Sequence, residues 1–280
     1  MNKQHNKTGL KIFLIIMCVL YIFSFWCTID SLIENNKIQD MIIEFVDRDA
    51  KCTYSKYYKM NFCKIENRKK DITPSFTQSD KDKQFFVGSY GDIIISLESE
   101  MKSVFKGAID FYTGGHAALV SDNGMVLEVT GLSKDSSKNV VRYSYNYWLY
   151  DQKTMLEKFI MRDSFLVLKV KNTTLQQRNK AMLKAQSYLG QPYNYSFLFN
   201  TANSHYCSDL ISKVYEVINK DLNEDGFVTT PQDIVVSKDT QIFLYKEINR
   251  SVKDENGLML GTHNIYYLDD GINYDFDAYL

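Results

Sequence analysis

An excess of charge of one sign is missing from this sequence. Its 280 residues hold 33 lysines and arginines against 34 aspartates and glutamates, a formal net charge of -1. That balance gives no basic field to grip a phosphate backbone, so nucleic acid is excluded as the expected partner. Cysteine is sparse: the five (Cys18, Cys27, Cys52, Cys63 and Cys207) lack both the paired spacing of a zinc site and the density of a disulfide scaffold. No metal or other cofactor is expected. Histidine is scarcer still, with His5, His116, His205 and His263 alone, which narrows the choice of general base. Internal repeats are also lacking. What is present is an ordinary globular composition, 45% hydrophobic and 24% charged, which excludes a disordered chain. The length suits one good-sized catalytic domain with appendages, or two small domains.

Near the N-terminus, Lys3, Lys7 and Lys11 lead into an apolar run from Ile12 to Ile29, interrupted by Ser24 and Thr28. A spanning helix needs roughly 17–25 such residues, and Tyr21, Phe23, Phe25 and Trp26 sit toward the far end, where an interfacial belt is favoured. A buried core helix and a cleaved signal peptide are the alternatives. No small-x-small site follows the run, and Ser24-Phe25-Trp26 before Cys27 does not make a lipoprotein box. Residues 1–29 are therefore expected to stay as a single-pass anchor in the cell membrane. The lysine-bearing end would remain cytoplasmic and the rest would be exported.

Residues 30–84 read as an amphipathic helix (Ile38, Met41, Ile42, Phe45) followed, from Asp47 to about Lys83, by a polar stalk. Cys52 and Cys63 in it either pair with each other outside the cytoplasm or remain separate thiols. Residues 85–250 carry the periodic patterns of a folded domain. Strands are expected at Gly91–Ser96, Ala117–Ser121, Met125–Val129 and Phe165–Val170, a helix over Thr173–Leu189 ending at Gly190-Gln191-Pro192, and a second helix from Cys207. The last segment, 251–280, reads as a C-terminal extension rich in Asn, Asp and Tyr.

Cys207 opens a helix whose apolar positions, Leu210, Ile211, Val214, Tyr215 and Ile218, form one stripe, with Ser204 as expected N-cap. A thiol in the first helical turn feels unpaired N–H groups and the positive end of the macrodipole, which favour thiolate. The bland reading, a small buried cysteine packing like alanine, stands beside the nucleophilic one. His116 follows Thr113-Gly114-Gly115 and opens a strand; two glycines there permit close approach of backbone or ligand. With a three-residue loop at Asp122-Asn123-Gly124, and Gly124 left-handed, Glu128 pairs with Ala118 and becomes a diagonal neighbour of His116 on one face. A two-residue loop would send the two to opposite faces. His205 is expected to line the cleft or cap the helix, and Tyr206 to line the cleft or pack. Asp221, Asn223, Asp225 and Gly226 begin like a calcium loop, but the twelfth position is Gln232, so an acidic turn is expected.

In order along the chain stand Gly91-Asp92-Ile93-Ile94, Gly115-His116-Ala117-Ala118-Leu119-Val120, Val126-Leu127-Glu128-Val129, Gly190-Gln191-Pro192-Tyr193-Asn194-Tyr195, Tyr206-Cys207-Ser208-Asp209-Leu210-Ile211 and Thr230-Pro231-Gln232-Asp233-Ile234. With these pieces the chain resembles the circularly permuted papain-like amidases of the NlpC-related, YiiX-like group, which are similar to lecithin:retinol acyltransferase-like proteins. The resemblance implies an α+β, permuted papain-like (NlpC-type) fold with an antiparallel sheet packed on a nucleophile helix. It implies Cys207 as nucleophile, His116 as base and then acid, and Glu128 as the orienting third residue. Tyr206, Gly115 and His205 are the expected substrate contacts. Asn194 departs from the pattern, since relatives often carry aspartate there.

The expected activity is cysteine hydrolysis of an amide in a peptide or cell-wall fragment through a thioester acyl-enzyme. Two alternatives accompany it. One keeps the trio but takes the acyl group of a lipid or lipoprotein; the other is a membrane-tethered binding module that does not cut.

Overall fold

The computed structural model describes residues 2–67, 73–78, 84–98, 106–131, 135–149, 164–197, 201–223, 226, 228–249 and 262–278. Its first element, α1 (Asn2–Val46), is one continuous helix. Over residues 10–25 it is exposed all round and apolar, and it is long and apolar enough to cross a membrane. From Ser31 onward its character changes: Ser31, Ile38, Ile42 and Phe45 are buried along one stripe while Leu32, Ile33 and Ile43 stay exposed. Burying Ile38, Ile42 and Phe45 is worth ~1.5–3 kcal/mol each, enough to make this part of α1 integral to the domain.

Among the described residues, nine strands form the main sheet, in the order β1-β2-β11-β10-β9-β5-β6-β7-β8. They are β1 (Ala50–Ser55), β2 (Met60–Ile65), β5 (Ile93–Ser96), β6 (His116–Val120), β7 (Met125–Glu128), β8 (Arg142–Tyr145), β9 (Phe165–Val170), β10 (Thr240–Asn249) and β11 (Thr262–Leu268). A small separate ladder joins β3 (Phe76–Gln78) to β4 (Phe85–Val87). Described pairings in the main sheet are antiparallel, except that β11 runs parallel to β2. The other described α-helices are α2 (Lys106–Thr113), α3 (Leu175–Gln186), α4 (Cys207–Glu216) and α5 (Pro231–Val236).

Side-chain alternation along the strands separates two cores. On one face Ile93, Ile95, Leu119, Leu127, Leu166 and Leu168 pack with Leu210, Ile211, Val214 and Tyr215 of α4, with Ile234 of α5, and with the stripe of α1. On the other, Ile94, Ala118, Val120, Val126 and Val167 pack with Trp148, Phe62, Phe76, Tyr267 and Phe276. Capping boxes begin α3 (Thr174 with Gln177) and α5 (Thr230 with Asp233, followed by Pro231), which fixes where these helices start.

The expected division of the chain needs correction at both ends. Residues 50–65, read as stalk, form the hairpin β1–β2 at the edge of the main sheet, and residues 262–268, read as extension, pair with both β2 and β10. The physical cause is an aromatic cluster built from both segments: Phe62 stacks on Phe276 at 3.6 Å, and Phe76 packs edge-on to Tyr267, Tyr274 and Phe276. Cys52 and Cys63, directly opposite across β1–β2, form a disulfide. The expected polar stretch around Lys69, Lys70, Ser79 and Lys81, and residues 251–261, lie outside the described residues.

Candidate active site

The site begins with a turn. Ser121 and Met125 close the β6–β7 hairpin (Ser121 N–H to Met125 O, 2.9 Å), leaving the loop Asp122-Asn123-Gly124. Asn123 and Gly124 both take the left-handed conformation, at φ 55° and 67°, which asparagine and glycine tolerate best. Leu119 then faces Leu127 and Val120 faces Val126. This register puts His116 and Glu128 on the same face, and His116 Nε2 lies 2.8 Å from Glu128 Oε2 with both side chains almost fully buried. With Nε2 turned to the carboxylate, Nδ1 is left to meet Cys207, which interacts directly with the imidazole. The indole of Trp148 lies parallel to the ring, with centroids 6.4 Å apart.

Cys207 is the first residue of α4 and is partly exposed, unlike the buried Leu210, Ile211 and Val214 behind it. The N-cap is Tyr206 rather than the expected Ser204, and Tyr206 makes no side-chain cap. Ser204 is instead paired with Thr201. With no cap occupying them, N–H groups at the helix start are available to a sulfur or an oxygen, and the N–H of Ser208 and that of Ala117 on β6 point at the thiol. Burial opposes ionisation of Cys207. The His116 hydrogen bond and charge, with these two N–H groups, outweigh burial and lower its pKa. Burial likewise disfavours the imidazolium, but the hydrogen bonds and charges of Cys207 and Glu128 raise His116 to about 10. The favoured state is thus a thiolate beside an imidazolium, with a carboxylate behind it. Such a set can attack a carbonyl carbon, hold the resulting oxyanion on backbone N–H groups and protonate a leaving group.

The residues expected to touch substrate separate. Tyr206 is buried beside Thr229, and burial, ahead of the charge of Asp209, raises its pKa. A Cβ on Gly115 would meet the carbonyl oxygen of Glu98 at 2.2 Å and that of Ser96 at 2.6 Å, so this glycine lets β5 and its following turn press against the backbone before His116. His205 is corrected outright. It is fully buried, with Nε2 2.9 Å from Gln191 Oε1 and Nδ1 3.3 Å from Asp209 Oδ2, so it braces the chain before α4 and does not line a cleft. Asp209 also pairs with Lys213 at 2.8 Å. The sequence signal for this brace was present, because His205, Asp209 and Lys213 are spaced four apart.

Other features of the site were not anticipated. Trp148 and the N–H of Ala117 are two. A third is an aromatic shelf beside the sulfur: Tyr193, whose ionisation is opposed first by burial and then by the charge of Cys207, contacts Tyr195 (4.9 Å) and Phe197 (5.9 Å), and Phe197 contacts Tyr206 (5.6 Å). Asn194 is buried between them and accepts from Ser196 N–H and Oγ in a local turn. In the acidic turn, Asp221 and Asn223 spend their side-chain oxygens on N–H groups of Asn223 and Gly226, and Asp225 lies outside the described residues.

The sequence model described as permuted papain-like amidase enzyme, YaeF/YiiX, C92 family, matches residues 89–250. The chain belongs to this family. Its α+β architecture is the permuted papain-like fold, and as a member of an amidase family it is an enzyme. In the permuted order the histidine strand precedes the cysteine helix, as β6 precedes α4 here. The crystal structure of metalloprotein YiiX from Escherichia coli O157:H7 is similar at 20% identity and a TM-score of 0.41, over 55% of this chain and 95% of that one. No curated protein matches the chain.

Proposed function

We propose that this member of the permuted papain-like amidases hydrolyses an amide of a peptide-like substrate through Cys207, His116 and Glu128, on the outer side of a membrane that α1 spans. The observation that carries the reading is the ordered contact Cys207–His116–Glu128, in which the thiol's pKa is lowered and the imidazole's is raised. The Cys207 thiolate attacks the carbonyl carbon and a C–S bond forms. The oxyanion is held by N–H groups at the start of α4, and His116 gives its proton to the departing nitrogen as the C–N bond breaks. A water, deprotonated by His116, then attacks the thioester and returns the thiolate, releasing the acid. Glu128 keeps the imidazole oriented and favours its charged form.

Lys3, Lys7 and Lys11 before the apolar run favour a cytoplasmic N-terminus, and the Cys52–Cys63 disulfide agrees with an oxidising compartment for the domain. Residues 1–29 serve as anchor, and the catalytic unit takes in β1, β2 and β11 from either side of residues 85–250. The test is to incubate the purified protein with cell-wall peptide fragments and follow new termini by mass spectrometry. Turnover is expected for wild type and none for Cys207→Ala; equal turnover by the two would end this reading.

A further inference from the structure

The chain enters His116 from a helix end that a distant side chain closes. The last carbonyls of a helix lack a following turn to bond them, and in α2 these begin at Asp110. Gly114 comes next after the helix, in the left-handed conformation at φ 64° that commonly stops one. Gln232, in the first turn of α5, fills the space this glycine leaves: a Cβ at position 114 would collide with its Oε1 and lie 2.9 Å from its Cδ. From there Gln232 Nε2 donates to the carbonyl of Asp110 at 3.0 Å. Gln232 is 1% exposed, and among the described residues its Oε1 accepts no hydrogen bond. A buried amide that leaves its oxygen unsatisfied is kept for its donor. The sense of the amide is fixed, since the reverse would set its oxygen against that of Asp110.

The same short helix is tied to the other half of the site. Both neighbours of Cys207 bond to Thr229: the Ser208 hydroxyl donates to its carbonyl at 2.8 Å, and the Tyr206 hydroxyl is hydrogen-bonded to it as well. Thr230 and Asp233 then close the capping box that starts α5, with Thr230 N–H 2.6 Å from Asp233 Oδ2, so Thr229 and Gln232 stand in a fixed relation. One path therefore runs from the cysteine turn through Thr229, α5 and Gln232 to the end of α2, and on through Gly114 and Gly115 to His116. Gly115 on that path already rests against the backbone oxygens of Ser96 and Glu98, which leaves the approach to the imidazole little freedom once Gln232 is in place.

We propose that Gln232 is a positioning residue for the reaction: it holds the last turn of α2 so that His116 enters β6 where it meets Cys207. It acts through His116 and not on the substrate. This rests on the reading of Cys207 and His116 as the amidase pair.

The test replaces Gln232 by methionine, which matches its length and lacks the donor. The pH dependence of Cys207 alkylation by iodoacetamide is followed in the full chain, with peptide mass mapping as readout. In wild type the midpoint should lie below the ordinary thiol range. In Gln232→Met it should rise by about one unit as the thiolate and imidazolium are drawn apart. Turnover of cell-wall peptide fragments should fall at least about tenfold in kcat, with KM within about twofold, as a misplacement of 1 Å or less would cause. Gln232→Asn, whose amide stops one methylene short of Asp110, should show the same changes and carries the comparison where the methionine variant does not fold. Thr174→Ala, which removes the cap of α3, should lower the melting temperature yet keep the alkylation profile and turnover of wild type. A wild-type profile in Gln232→Met, or an equal shift in Thr174→Ala, overturns the positioning role while sparing the amidase reading. A shifted profile in Gln232→Met, with no wall fragment cut by wild type, counts against the peptide substrate and supports Gln232 in its role. A wild-type Cys207 that titrates as an ordinary thiol overturns both readings.

Discussion

Replacing Glu128 by glutamine isolates the charge of the third residue from its geometry. Glutamine keeps an oxygen able to accept from His116 Nε2, now 2.8 Å from the carboxylate, but removes the negative charge. A hydrogen bond to a charged group is worth about 1.5–3 kcal/mol, and one pH unit corresponds to about 1.4 kcal/mol, so the imidazole should lose roughly 1–2 units. From a wild-type value of about 10, His116 in Glu128→Gln should therefore titrate near ~8–9. Because its folded value is raised, His116 contributes stability that is complete below the ordinary histidine range and disappears as pH climbs toward 10. The variant should lose that contribution at lower pH than wild type. The direct assay is an NMR titration of carbon-labelled histidines, with the His116 signal assigned by its loss in His116→Gln. The alkaline limb of the hydrolysis rate should move down with it, since the leaving group is protonated by the imidazolium, whereas rates near pH 7 change little. Glu128→Ala, which also releases the ring, should lose activity at every pH. An unshifted His116 titration in Glu128→Gln would refute the electrostatic role given to the carboxylate.

Three further outcomes can be checked separately. Gly115→Ala forces a methyl into backbone oxygens of Glu98 and Ser96, and should lower the melting temperature by the equivalent of at least ~1–3 kcal/mol while displacing His116; a variant as stable as wild type would mean that β5 can withdraw. Asp209→Asn leaves the buried Lys213 ammonium without its carboxylate and should cost ~3–5 kcal/mol in urea denaturation, a loss that Lys213→Met in the same chain should partly restore. Cys52→Ser with Cys63→Ser opens a loop of 11 residues' separation at the sheet edge, which should remove up to about 3 kcal/mol of stability with hydrolysis at low temperature preserved.

The parts of the site legible in the sequence were those with local grammar. The Asp122-Asn123-Gly124 turn set a register, the register put Glu128 beside His116, and the stripe Leu210, Ile211, Val214 marked α4 with Cys207 at its tip. Features decided by distant partners were illegible. β1 carries few apolar residues, β2 interrupts Met60, Phe62, Cys63 and Ile65 with Asn61 and Lys64, and their place in the sheet depends on β11, about 200 positions later. Tyr206 displaced Ser204 as N-cap because Ser204 had found Thr201, a pairing no helix pattern encodes. His205, two positions before the nucleophile, reads as lining the cleft or capping the helix, yet Gln191 and Asp209 take both its nitrogens inside the fold.

The place of residues 50–65 in the sheet also bears on the proposed anchor. A flexible stalk over the expected residues 47–83 would let the domain range over about 33 Å, as for a coil of some 37 residues, and an amidase so tethered would search the space around its anchor. Here α1 enters the core directly, and Ile38, Ile42 and Phe45 lie under α5 and the sheet. Their burial, together ~5–9 kcal/mol, holds the domain against the helix more firmly than thermal motion can undo. In the proposed anchored state, distance and orientation relative to the membrane are then set by the fold itself. The same burial can be tested by a simple perturbation. Ile38→Ala with Phe45→Ala should lower the stability of the domain by ~4–9 kcal/mol in urea denaturation, and because Cys207 and His116 are held by α4 and β6, iodoacetamide should still alkylate the thiol in the folded fraction; an unchanged stability would mean that this part of α1 is not built into the core.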